Sequence, residues 1–327
     1  MGRVTAMTLP PSDRLIVVAF GGNALQRPGE RGTVEEMRLN LRAALAGLEP
    51  ALRAGTPLLI THGNGPQVGS ALLRSEAAAR EVPPHPLDVA VATTQAEIGS
   101  LVVGELLAAI RALGLPERAA CALVTHVLVD PQDEKLLAPT KPIGPFYDEA
   151  TAHSLERGRG WALVEDAGRG WRRVVGSPTP HSVVELESIR ALVERGTIVV
   201  AGGGGGIPVA RTGAGDLAGV EAVIDKDHTA SLLAQLLDAD QLVILTAVDA
   251  VYSGFGTEEA VALNRLSVVQ ARELLDTGTL PAGSMAPKVE AAAEFAHATG
   301  RTALITNESG FATALAGSGG TTIYSDR

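Results

Sequence analysis

Apolar positions along the chain fall into two alternating patterns. The first is a short, unbroken apolar run that ends in glycine. Residues 14–20 (RLIVVAF) precede Gly21-Gly22-Asn23, residues 58–61 precede His62-Gly63-Asn64-Gly65, and TIVVA precedes five consecutive glycines at 202–206. Runs without a polar face suit strands of a parallel sheet covered on both sides. The second pattern has helical spacing. Met37, Leu41, Leu45 and Leu48 form one stripe closed by Gly55, and Pro66 stands at the first position of the next helix. TTQAEIGSLVVGELLAAIRALG, VVELESIRALVERG, DHTASLLAQLLDAD and APKVEAAAEFAHATG read as further helices. CALVTHVLVD, QLVILT and TALIT read as further strands. Strands alternating with helices predict a parallel, three-layer α/β sheet.

Residues from about 128 to 178 break this rhythm. DPQDEKLLAPTKPIGPFYDEA is polar and rich in proline. GWALVEDAGRGWRRVV reads as a small hairpin turning at 168–170. This excursion holds both tryptophans, Trp161 and Trp171. GAGDLAG, at 213–219, has the wrong spacing for a dinucleotide fingerprint and reads as a loop. Residues 1–13 lack the apolar core of a signal peptide and are expected to be a loose terminus.

Three glycine turns at strand ends share the carboxyl edge of the sheet, where ligands bind in open α/β folds. Glycine lets backbone N–H groups face an anion with no Cβ in the way. The turns therefore point to a shared phosphate site. No P-loop motif and no G-x-S-x-G nucleophile motif is present.

Charge narrows the chemistry. The net charge of −10 argues against non-specific nucleic-acid binding, so an anion site has to be built locally. Of the 27 Lys and Arg residues only four are lysines: Lys135, Lys141, Lys226 and Lys288. In so Arg-biased a chain, a surviving lysine suggests work for a compact ammonium. Lys226 and Lys288 both stand at expected helix N-termini, where a cation opposes the helix dipole unless an anion lies between. Asp225 and Asp227 flank Lys226 and could hold lysines or accompany a Mg²⁺, and Asp227 also reads as an N-cap. Lys141 sits in a proline-stiffened segment, APTKPIGPFY. His62 reads as a hydrogen-bonded strand-end residue, and His126, His153 and His228 lack metal-ligand spacing. These parts suit phosphoryl transfer, which needs positioning and charge neutralisation more than covalent chemistry.

No apolar run approaches about 18 residues, so no transmembrane helix is expected. The single cysteine, Cys121, excludes a disulfide framework within the chain and reads as a buried small hydrophobe. A cytoplasmic location fits that usage.

VVAFGGNAL, THGNGPQVG, KPIGPFY, RRVVGSPTP, GGGGGIPV, EAVIDKDHTASLLA, LTAVDAVY and GSMAPKVEAA resemble, in order, the motifs of carbamate kinases in the amino-acid kinase superfamily. They span about residues 14–324. The resemblance implies reversible phosphoryl transfer between ATP and carbamate with Mg²⁺, run in cells toward ATP at the end of arginine or allantoin breakdown. It implies an αβα sandwich with about eight mainly parallel strands, one small protruding subdomain, and a homodimer. Residues 14–215 would form the carbamate half, including the excursion, and 216–327 the nucleotide half. By the same resemblance Gly21, Gly22, Asn23, Gly63, Asn64, Gly65 and Gln95 would contact the acceptor. Lys141, Lys226, Asp227 and Lys288 would be catalytic. Gly203, Gly204, Gly205, Asp225, Thr246, Ala247, Val248, Tyr252 and Met285 would serve the nucleotide, with no metal held by the protein itself. The segment Thr93 to Gly99 (TTQAEIG) departs from the family's Ser-Gln-Gly-x-Ile-Gly pattern, with Ala96 for glycine and an unexpected Glu97. Phe20 and the DHTA segment around His228 are milder departures. A kinase of another small carboxylate or phosphate acceptor and a weakly active nucleotide sensor are the alternative readings.

Overall fold

The computed structural model describes residues 14–116, 118–165, 170–257, 259–281 and 284–326. The expected loose terminus and most of the expected turn at 168–170 lie outside them. The main sheet has eight strands in the order Arg265–Ser267, Thr321–Tyr324, Thr302–Thr306, Gln241–Leu245, Ile16–Phe20, Leu58–His62, Ile198–Val200 and Ala120–Ala122. Neighbours run parallel except Thr302–Thr306 against Thr321–Tyr324.

The unbroken apolar runs are explained by burial on both faces. Ile16–Phe20 and Leu58–His62 are buried at every position. Alternate residues feed opposite layers. Val17, Ala19 and Leu59 join the core under the helices Lys226–Leu236 and Ala286–Thr299. Ile16, Val18, Phe20 and Ile60 join the core under Val34–Gly47 and Leu87–Ala112. The first helix stops at Gly47 and a short one, Glu49–Arg53, follows with Pro50 in its first turn.

Two expectations change. CALVTHVLVD is two strands, Ala120–Ala122 in the main sheet and His126–Val129 in a second sheet. The break falls at Thr125, whose N–H donates to Gln95 Oε1 and whose carbonyl accepts from Gln95 Nε2 and from the Ile207 N–H of the second sheet. GAGDLAG is partly a strand: Leu217–Gly219 pairs antiparallel with Ile207–Arg211. Cys121 is half-buried against the core, and burial raises its thiol pKa.

The excursion carries its own sheet, ordered Lys141–Tyr147, Trp171–Val175, Ala162–Glu165. It docks onto the helix Gly65–Ala77. There Gly69 meets Gly144 so closely that a Cβ on Gly69 would lie 1.9 Å from the Gly144 Cα. An ion pair between Glu76 and Arg159 adds to the contact. This docking brings the start of the strand, and so Lys141, back over the main sheet's carboxyl edge.

Candidate active site

Three lysines, far apart in sequence, converge on two carboxylates separated by a single residue. Asp225 caps the helix Lys226–Leu236 by accepting from the Asp227 N–H at 2.8 Å, which leaves its other oxygen for the Lys141 ammonium. Asp227, in the first turn, accepts from Lys226 Nζ at 2.5 Å on Oδ1 and from Lys288 Nζ at 2.8 Å on Oδ2. The Asp227 side chain is only 3% exposed, so each of its partners is shielded from water.

Burial and pairing set the charges. Burial alone would raise both aspartates, but Lys141 and Lys226 around Asp225, and Lys226 and Lys288 around Asp227, hold both well down. Burial lowers Lys226 to about 8; Asp227 opposes this and the Lys288 charge adds to it. Burial also works against the Lys288 charge, but Asp227 outweighs it and the pKa is raised. The ammonium groups are thus held on the protein's own carboxylates.

The glycine turns divide into two kinds. Gly22 and Gly65 have open space where a Cβ would sit. Gly65 opens a helix whose N-terminus offers free N–H groups. The other glycines face protein. A Cβ on Gly21 would lie 2.7 Å from the Leu245 carbonyl oxygen, and one on Gly63 would lie 3.3 Å from Lys226 Cδ.

The run at 202–206 is fully buried, and Gly202, Gly204, Gly205 and Gly206 have positive φ. Cβ atoms would meet the His62 ring at Gly203 (2.4 Å), the Asn64 carboxamide at Gly204 (2.2 Å) and the Ile224 carbonyl at Gly205 (2.3 Å). The run therefore packs against the turn after Leu58–His62. Gly203, Gly204 and Gly205 were expected to floor the nucleotide phosphates; on the side where a Cβ would sit they face His62, Asn64 and Ile224.

Asn64 donates to Thr94 Oγ1 at 2.9 Å, and Thr229 Oγ1 donates to the Gly205 carbonyl at 2.8 Å. His62 lies against Gly63 O (Nδ1 to O, 2.9 Å), as a strand-end histidine should. Burial, with Lys226 nearby, lowers its pKa to about 4, so the ring is neutral and Nδ1 donates. Gln95, expected on the substrate, instead spends both ends of its carboxamide on Thr125: Nε2 donates to the carbonyl at 3.1 Å and Oε1 accepts from the N–H at 2.8 Å. It supports the site from behind. Glu97 is half-buried two residues on, and among the described residues it forms no ion pair.

Thr246, Ala247 and Val248 leave the end of the strand Gln241–Leu245, with the Thr246 N–H on the Thr306 carbonyl at 2.8 Å. Tyr252 donates to Asp249 Oδ1 at 2.8 Å, and Met285 caps the Lys288 helix. Asn23, Ala247, Asn40, Asn307 and Thr313 are among the residues lining a cleft of about 920 Å³, and no lysine lines it. The supporting roles of Thr94, Thr125 and Thr229 were invisible in sequence, because each acts through a contact distant along the chain.

The profile of the Amino acid kinase family matches residues 14–307. The carbamate kinase of Pyrococcus furiosus is 44% identical over 310 residues, covering 94% of this chain and 98% of that one. Carbamate kinase 3 of Staphylococcus aureus is 44% identical over 312 residues, with the same coverage. The solved carbamate kinase of Giardia lamblia bound to AMP-PNP superposes with a TM-score of 0.88 at 39% identity, covering 97% of this chain and all of that one. With full-length agreement in sequence and in fold, the chain belongs to the carbamate kinases of the amino acid kinase family.

Proposed function

We propose that this chain transfers a phosphoryl group reversibly between carbamate and ATP, working in the cell toward ATP from carbamoyl phosphate and ADP. In that direction the bond between phosphorus and the carbamoyl oxygen breaks, and a bond to a β-phosphate oxygen of ADP forms. No proton has to be moved. The observation that carries the reading is the convergence of Lys141, Lys226 and Lys288 on Asp225 and Asp227, beside turns with open glycine backbone.

Each lysine has a role that its position supports. Lys141, brought by the excursion, neutralises the carbamoyl phosphate. Lys226 and Lys288 leave Asp227 for the phosphates and spread the charge of the moving group. Asp227 holds both ammonium groups in place before substrate arrives. Gly22, Asn23, Gly63, Asn64 and Gly65 supply the acceptor-side backbone. Thr246, Ala247, Val248, Tyr252 and Met285 border the nucleoside.

Mg²⁺ belongs to this reading as part of the nucleotide substrate. Among the described residues no three His, Cys, Asp or Glu side chains gather as a metal group. In this structure both nearby carboxylates are engaged by ammonium groups. A homodimer in the cytoplasm completes the reading and rests on the family resemblance. Among the described residues no helix is long and apolar enough to cross a membrane.

The test is a donor panel. With Mg-ADP, carbamoyl phosphate is expected to give ATP far faster than acetyl phosphate. Preference for acetyl phosphate would move the protein to another acceptor, and ADP binding without ATP formation from any donor would make it a sensor.

A further inference from the structure

His228, in the DHTA segment, lies one residue beyond Asp227 and is absorbed by none of the roles above. It projects from the helix Lys226–Leu236 toward the helix Ala286–Thr299. There Glu290 and Glu294, four residues apart on one helix face, meet its two ring nitrogens. Nε2 lies 3.4 Å from Glu290 Oε2, and Nδ1 lies 3.3 Å from Glu294 Oε2. A ring facing an acceptor at each nitrogen has to donate from both, so it is an imidazolium. Its side chain is 13% exposed. Burial opposes the charge, but the two glutamates outweigh it, with Asp225 assisting, and the pKa is pushed up to about 10.

The same two helices carry the phosphate-binding groups. Lys226 and Asp227 are on one, Lys288 on the other, and in the free enzyme the Lys288–Asp227 pair joins them. That pair has to loosen when the lysines turn to phosphate. Ala230, Ala234, Ala292, Ala293 and Ala296 of these helices are buried in one core cluster together with Leu233, Val289 and Phe295. The His228 contacts join the same two helices without engaging either lysine.

We infer that His228 is a positioning residue for phosphoryl transfer, tying the Lys226 helix to the Lys288 helix so that both ammonium groups stay aimed at one phosphoryl group. The inference rests on the functional reading above. The experiment measures ATP formation from carbamoyl phosphate and Mg-ADP by the wild type, His228→Gln, His228→Arg and the pair Glu290→Gln/Glu294→Gln, with melting curves to confirm folding. The expected loss of kcat in His228→Gln is about tenfold or more, since a displacement near 1 Å costs up to about a hundredfold. KM should stay within about twofold. Arginine, which can donate to both carboxylates, should restore most of the rate. The glutamine pair, at half-exposed positions that tolerate the change, should reproduce the loss. Adding His228→Gln to that pair should cost little more.

A lowered melting point with unchanged kcat, or an equal loss in His228→Gln and His228→Arg, would overturn the inference. If His228→Gln does not fold, unchanged kcat in the glutamine pair overturns it alone. A wild type without turnover removes the functional reading itself; an active wild type with indifferent variants removes only the tie.

Discussion

Alanine substitution at Gly203 and at Gly204 separates two costs that the glycine run combines. Gly203 has ordinary φ, so Gly203→Ala introduces a pure clash: its Cβ would sit 2.4 Å from His62 Nε2 and 2.5 Å from Cε1. Ordinary contact begins near 3.4 Å, so the ring has to retreat by about 1 Å. It is fully buried and tethered to Gly63, whose Cβ position already touches Lys226. Overpacking of this kind costs about 1–3 kcal/mol. Gly204→Ala adds a φ of 63° to a Cβ lying 2.2 Å from the Asn64 carboxamide. The left-handed backbone contributes about 1–2 kcal/mol more, for a total of roughly 2–5 kcal/mol. Relief of that overlap would also strain the Asn64–Thr94 hydrogen bond at the acceptor turn.

Urea denaturation should therefore rank stability as wild type, then Gly203→Ala, then Gly204→Ala. Both variants should lose kcat/KM for carbamoyl phosphate by about tenfold or more in conditions where they are folded. Gly213→Ala, with ordinary φ and nothing within 4 Å of its Cβ, is the control and should match the wild type. Equal stability and activity in all four proteins would refute the packing role assigned to the run.

Two further outcomes follow from the lysine cluster. Because burial holds Lys226 near 8 in the free enzyme, it is charged below that pH and loses its proton above it. The kcat/KM for ADP should fall as pH rises through about 8, while the kcat limb lies higher because bound phosphate favours the ammonium. A kcat/KM that stays flat to about pH 9.5 would remove Lys226 from phosphate binding. Lys141→Ala should raise KM for carbamoyl phosphate by about tenfold, or ~1.4 kcal/mol, with a smaller effect on KM for ADP. Equal effects on both would place Lys141 on the nucleotide instead.

The central strands and their glycine ends were legible because burial on both faces leaves a signal within a few residues. IVVAF and LLITH have no polar position to misread. The lysines were legible for a different reason: scarcity in an Arg-biased chain, and placement where a helix dipole disfavours them. What stayed hidden depends on contacts remote in sequence. The split of CALVTHVLVD falls at Thr125, which is held by Gln95, thirty residues earlier, and by Ile207 of the second sheet. The orientation of the glycine run is set by His62 and Asn64, and no local pattern reports that. The strand at Leu217–Gly219 exists because Ile207–Arg211 offers an edge, not because LAG favours extension. His228 showed in sequence only a lack of metal-ligand spacing; Glu290 and Glu294, which face it, are remote along the chain.

The most direct measurement of the central claim compares wild type and Lys288→Ala for ATP formation from carbamoyl phosphate and Mg-ADP, with melting curves recorded in parallel. Lys288 pairs with Asp227 at 2.8 Å, and its removal leaves Lys226 as the remaining ammonium on that carboxylate. The account predicts rapid wild-type turnover and a loss of at least about a hundredfold in kcat for a variant that still melts cooperatively. Wild-type rates retained by the folded variant would contradict it.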